Sequence, residues 1–168
     1  MLGLADGLVQ WAFDRGALAC AAQQLGVAQQ LIEMGALYAT QRKQFGVAIG
    51  SFQAVKHRLA NARVKLEYAR AVVHRAACSV AHARPTRAVD VSMAKAVAGE
   101  AATFAAKESL QVHGAIGYTY EQDLHVWMKR AWSLDLAWGT GAWHRSRVAE
   151  AVLDGTLPAE SFGYSPAA

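Results

Sequence analysis

Proline is scarce in this chain. Of 168 residues only three are proline, and Pro158 and Pro166 sit in the tail, leaving Pro85 as the one proline break before it. Nothing else imposes a proline kink, so long uninterrupted helices are permitted. Cysteine is scarce as well. Cys20 and Cys78 fall on separate helical stretches without CxxC spacing, which excludes a disulfide framework and leaves buried thiols of a cytoplasmic protein as the expectation. Charged residues make up 18% against 54% hydrophobic, too apolar for a disordered chain. Yet no apolar run nears the roughly 20 residues that span a bilayer, so no membrane span is expected. The opening MLGLADGLVQWAF lacks a basic n-region and a cleavage pattern, and no signal peptide is expected. The net charge of +4 suits an anionic ligand without pointing to nucleic acid.

What is present is helical periodicity. A first helix is expected from about Gly7 to Gln41, with Leu18, Ala22, Leu25, Ala28, Leu31 and Leu37 at a 3.6-residue period. Ser51 is a candidate N-cap for a second helix to about Ala83, its core face running Phe52, Val55, Leu59, Ala62, Leu66, Ala69, Val73, Ala76 and Val80. Pro85 ends it, and Thr86 is the candidate cap of a third helix carrying Val89, Ala94, Val97, Ala101, Ala105 and Leu110 up to Gly114. Two shorter helices follow, about Asp123–Leu136 and Thr140–Leu153. Long helices on short loops predict an all-α, antiparallel up-and-down bundle over residues 1–154, with a loose tail at 155–168. Ala-rich faces leave broad apolar surface of the kind that serves as an oligomer interface.

Two bends interrupt the pattern. Arg42-Lys43-Gln44-Phe45-Gly46 closes the first helix, and Gln111 to Glu121, QVHGAIGYTYE, closes the third with Gly114 and Gly117. The Arg42 guanidinium is a planar fork matched to a phosphate or pyrophosphate, Gln44 adds a neutral donor and acceptor, and Phe45 an aromatic face. Glycines let a backbone approach another molecule closely. Each bend alone also reads as an ordinary helix C-terminus, with basic residues complementing the dipole or a glycine cap.

Taken together, ALYATQRKQFGVAIGSFQAVKHRLANA and QVHGAIGYTYEQDLHVWMKRA resemble the C-terminal helical domain of acyl-CoA dehydrogenases, which carries an Arg-x-x-Phe-Gly loop and a Gln-x-x-Gly-Gly-x-Gly-aromatic loop. The resemblance covers nearly all of this chain and only the C-terminal part of a complete family member. It implies FAD-dependent oxidation of the Cα–Cβ bond of an acyl-CoA thioester, with this bundle lending contacts to the FAD of a neighbouring subunit and an electron-transfer flavoprotein as a possible acceptor. It places Arg42, Gln44 and Phe45 at the pyrophosphate and Gln111, Gly114 and Gly117 against the adenosine part. Homo- or hetero-oligomers are implied.

The chain departs from the pattern where catalysis is decided. Dehydrogenation needs a carboxylate to take the α-proton. Many members carry that Glu directly before a Gly-Thr pair; here the pair is Gly139-Thr140 and the preceding residue is Trp138. Other members carry it on the first helix, at a position that falls near Gly16 by ungapped counting. The fallback, Asp14, lies two residues away and about 200° around the helix. Ala115 replaces the second glycine of the later loop, and Lys129-Arg130 replaces an Arg-Asp pair. Either another chain supplies the base, making this the non-catalytic partner of a hetero-oligomer, or the activity has diverged. A helical oligomerisation module without flavin and a related flavin oxidase or monooxygenase are the alternatives. The six histidines show no metal-ligand spacing, the Lys56, Arg63, Arg70 stripe reads as a solvated face, and Trp127, Trp132, Trp138 and Trp143 read as a core seam or subunit interface.

Overall fold

The computed structural model describes residues 2–155, with side-chain burial described from residue 7; apart from Gly155, the expected tail lies outside the described residues. Five α-helices follow in order: α1 (Leu2–Gln41), α2 (Gln53–Ala81), α3 (Arg87–His113), α4 (Leu124–Leu136) and α5 (Gly141–Leu153). A two-stranded antiparallel hairpin, β1 (Lys43–Gln44) with β2 (Val47–Ala48), bridges α1 and α2. The all-α bundle is therefore as the periodicity predicts. No described helix is long and apolar enough to cross a membrane.

α3 is the axis of the bundle and packs against every other helix. It has no solvent face of ordinary width, because Ala94, Ala98, Ala101, Ala102, Ala105 and Ala106 are all buried and let its neighbours approach closely. Larger side chains fill the gaps: Leu31 of α1, Leu66 of α2 and Leu124 of α4 are fully buried. Each such residue contributes about 1.5–3 kcal/mol relative to exposure.

Several local expectations need correction. Leu37 is 59% exposed, because the inward line of α1 runs Leu31, Gly35, Ala39 instead. At Gly35 the helices touch so closely that an added Cβ would lie 3.0 Å from Leu59 and from the Ser109 hydroxyl. Ala22 is exposed. The start of α2 rises out of the bundle, leaving Phe52 exposed and Val55 and Leu59 half-buried. Thr86 stands at the N-cap of α3 as expected but without a side-chain cap bond, and Ser51 does not cap α2. Phe52 precedes α2, and the Ser51 hydroxyl donates backwards to the Ala48 carbonyl at 2.7 Å. Thr86 uses its hydroxyl to donate to Asp90 Oδ2 at 2.8 Å, so a buried carboxylate outcompetes the helix end for it. Cys20 is buried, but Cys78 is exposed. Trp132, Trp138 and Trp143 stand 45–48% exposed and form no core seam, whereas Trp127 is partly buried against the core. On α2, Arg58, Arg63, Lys65 and Arg70 each pair with Glu108, Glu67 or Glu100, an ion-pair-laced outer face.

Candidate functional site

The two bends meet. Tyr38, Arg42, Gln44, Phe45, Ile49, Phe52, Val55, Val112, His113, Gly114, Ala115 and Ile116 line one open cleft of about 630 Å³ between the α1–α2 hairpin and the end of α3. The hairpin makes one wall. Arg42 accepts at its carbonyl from Ile49 N at 2.8 Å, which folds the strands back, and the two turn residues Phe45 and Gly46 both take positive φ, 52° and 81°. Positive φ at both central positions is the geometry of a tight hairpin turn that matches strand twist. For Phe45 the conformation is strained, and the ring it presents is 91% exposed, supported only edge-on by Phe52 at 6.2 Å.

The opposite wall is the α3 terminus. Gly114 caps α3 at φ 65°, and a Cβ there would meet nothing within 4 Å, so the glycine serves backbone conformation and leaves the backbone bare toward the cleft. His113 forms the floor. It is buried, pairs its Nδ1 with the Ser109 carbonyl at 2.8 Å and stacks on Tyr38 at 4.4 Å. Among the described residues no side chain pairs with the exposed Arg42 guanidinium.

Of the six expected cofactor contacts, Arg42, Gln44, Phe45 and Gly114 line the cleft, and Gln111 and Gly117 do not. Gln111 is exposed on α3. Gly117 is buried underneath, where an added Cβ would lie 2.9 Å from Leu110, 3.0 Å from His113 and 3.3 Å from Leu124; it is there for packing. Tyr38 and the hairpin itself were not legible as parts of the site. Among the described residues the donor set fits a dinucleotide: a cationic fork with no side-chain partner, an exposed amide, a bare backbone turn and apolar walls.

A second locus gathers the expected base positions. Trp138 and Gly139, between α4 and α5, take φ 58° and 92°. This bend lays the indole on α1, so that a Cβ built on Gly16 would lie 2.5–2.6 Å from three indole carbons. The two positions that chain counting offers for a base thus face each other, and a rigid ring fills the space between them. Phe13 braces the ring edge-on at 6.1 Å. Asp14 turns the other way. It is 1% exposed, accepts from Gln10 at 2.6 Å and lies 3.7 Å from both Arg87 and Arg147, an enclosed carboxylate held by cations.

The bend rests on buried groups that sequence reading passed over. Lys95 of α3 donates to the Asp135 and Gly139 carbonyls at 3.1 and 3.2 Å. His144 of α5 sits 2.8 Å from the Trp138 carbonyl, and Cys20 of α1 sits 3.1 Å from the Leu134 carbonyl. Burial pushes the His144 pKa down, the Trp138 carbonyl works against that, and the Lys95 and Arg147 charges add to the fall. Burial likewise lowers Lys95, partly offset by Cys20 and Asp135, and raises Cys20.

Gly16 gives a direct check. A Gly16→Ala substitution is expected to destabilise the protein by about 1–3 kcal/mol, the usual cost of overpacking, because a flat indole has no flexible end to yield. Pairing it with Trp138→Gly should recover most of the loss; urea unfolding of the single and double variants measures this, and equal losses in both would show that the indole is not the obstacle.

Residues 6–153 match the family model for the C-terminal domain of acyl-CoA dehydrogenase. The acyl-CoA dehydrogenase IpdE2 of Mycobacterium tuberculosis is 44% identical over 119 residues, covering 70% of this chain and 35% of that protein. Butyryl-CoA dehydrogenase from Megasphaera elsdenii superposes with a TM-score of 0.82 at 31% identity over 86% of this chain and 37% of that one. The ChsE4-ChsE5 complex from Mycobacterium tuberculosis gives 0.81 at 32% identity, over 89% of this chain and 40% of the matched one. The chain spans little more than a third of the length of these relatives.

Proposed function

This chain belongs to the acyl-CoA dehydrogenase family of flavoprotein oxidoreductases, as its C-terminal helical domain, and from that premise we propose that it completes the FAD site of a neighbouring subunit in the α,β-dehydrogenation of acyl-CoA thioesters, as the partner that carries no base. The observation that carries this reading is the single cleft formed by the Arg42–Phe45 hairpin and the His113–Ile116 turn. Arg42 binds the pyrophosphate, with Gln44 as a second polar contact. The bare backbone at Gly114 and the faces of Phe45 and Ile116 receive the rest of the dinucleotide, and covering Phe45 removes apolar surface from water. FAD held there would supply the hydride acceptor for the Cβ–H bond, and an electron-transfer flavoprotein is the class of protein that would take up the electrons.

The proton is handled elsewhere. Removal of the α-proton calls for a carboxylate within hydrogen-bond reach of that carbon. Trp138 has no such group, Gly16 has no side chain, and Asp14 is walled in by Arg87 and Arg147. In this reading a partner chain supplies the base, and the similarity to one chain of the ChsE4-ChsE5 complex supports a two-chain assembly. The test is the visible spectrum of the protein purified alone and together with a candidate acyl-CoA dehydrogenase partner subunit. Flavin absorbance and acyl-CoA oxidation are expected only in the mixed oligomer. A colourless mixed oligomer, or full turnover by this chain alone, overturns the reading.

A further inference from the structure

We propose that Lys95 is a positioning residue: with His144, its ammonium fixes the α4–α5 bend in the left-handed conformation that holds Trp138 closed over Gly16. The geometry is a clamp from two helices. Lys95 rises from α3, fully buried, and donates to one carbonyl on each side of Trp138, those of Asp135 and Gly139. His144, equally buried on α5, takes the carbonyl between them, that of Trp138. To bond a carbonyl, Nε2 must carry the proton, which leaves Nδ1 as a buried lone pair without a partner.

Three carbonyls in and beside the bend, those of Asp135, Trp138 and Gly139, are thereby bonded from outside it. Asp135 lies in the last turn of α4, where carbonyls have no intrahelical donor and the helix dipole is negative. An ammonium is the complementary group, and burial makes it depend on these oxygens in turn. Trp138 at φ 58° is in a region a bulky side chain avoids, and such a conformation persists only where surrounding contacts over-determine it. His144 grips the middle of the bend and Lys95 spans it, so Lys95 sets the direction in which residue 138 leaves the backbone. That direction is toward α1, where Gly16 offers no Cβ to oppose it.

The consequence deepens the proposed function, and its meaning for catalysis rests on that reading. Closure of the α1 side is built in from the buried side and is not a mobile gate. The space beside Gly16 is unavailable to a substrate in this chain, so substrate binds where the partner leaves the corresponding space open.

The clamp itself is tested without flavin or partner. The five tryptophans can be labelled with fluorotryptophan and followed by fluorine NMR, with Trp138 assigned from Trp138→Phe. In Lys95→Met the Trp138 resonance is expected to move while those of Trp11, Trp127 and Trp132 stay in place, and Lys95→Arg, which keeps a cationic donor, should return it toward its original position. A lysine that only fills space would leave the Trp138 signal unmoved in a folded Lys95→Met protein, and that result overturns the proposal. Should the Met variant not fold, the Lys95 ammonium of the unaltered protein decides: a nitrogen signal protected from exchange at neutral pH is expected, and a freely exchanging one overturns it. A colourless mixed oligomer would remove the flavin reading and leave this clamp standing; an unmoved Trp138 signal would do the reverse.

Discussion

Arg42→Ala is expected to weaken FAD retention by the assembled oligomer at least tenfold while leaving the helical circular-dichroism signal unchanged. The side chain is exposed at the end of α1 and makes no ion pair among the described residues, so its removal takes nothing from the bundle core. Its value lies in a charge-assisted contact with a pyrophosphate. Hydrogen bonds to charged groups contribute about 1.5–3 kcal/mol, and about 1.4 kcal/mol is one factor of ten in affinity. Arg42→Lys separates charge from shape. It keeps the cation but loses the planar fork, and so should fall between the other two proteins. Flavin release during dialysis of the yellow oligomer, followed by absorbance, gives the three dissociation constants. Equal retention in all three removes Arg42 from the cofactor site and leaves the cleft without its cationic anchor.

That prediction was legible in the sequence because a bend is a local object. Arg42, Gln44 and Phe45 lie within four residues, and Gly114 interrupts a helical run, so chemistry and position could be read together. The fold was legible for a similar reason, since few prolines and a sustained 3.6-residue period leave helices as the consistent choice. What escaped is whatever depends on separation along the chain. Lys95 reads as one polar position on an Ala-rich helix, and only the fold reveals that it reaches carbonyls 40 and 44 residues away. Cys20 meets Leu134 across 114 residues. The face of α1 was misjudged because α1 turns Gly35 inward in place of a larger residue, and that of α3 was read too narrowly because periodicity assumes one buried side whereas α3 is surrounded. The hairpin escaped because its turn is Phe-Gly; the usual signal for two positive φ values is Asn-Gly or Asp-Gly. That departure leaves a strained, exposed phenylalanine at the mouth of the cleft.

The largest effect on stability is expected from Asp90→Ala, a loss of about 3 kcal/mol. Asp90 is 3% exposed at the start of α3, where it gathers the end of α2. Ser79 donates to it at 2.6 Å, Thr86 at 2.8 Å and Arg75 Nε at 2.9 Å. Removing one partner of a buried, hydrogen-bonded pair costs about 3–5 kcal/mol, and the partly exposed Arg75 places this case at the low end because water recovers some of its solvation. The loss must also depend on pH. Burial opposes the Asp90 charge, but the hydrogen bonds from Ser79, Arg75 and Thr86 and the Arg75 charge outweigh it and hold the carboxyl below its ordinary value. A folded-state pKa depressed below the unfolded one means that the unfolded chain takes up the proton first as pH falls. The contribution is then whole above the unfolded value of about 4 and drains away as pH drops toward the folded one. Urea midpoints for both proteins should therefore differ most at about pH 6 and draw closer together below about pH 4. Asp90→Asn keeps an acceptor for the two hydroxyls but loses the charge and the acceptor of the Arg75 bond, and should lie between them near neutrality. A gap between the unaltered protein and its Asp90→Ala variant that stays constant from about pH 6 to about pH 3 would mean the carboxylate acts by shape alone, and that its ion pair with Arg75 contributes nothing to the junction of α2 and α3.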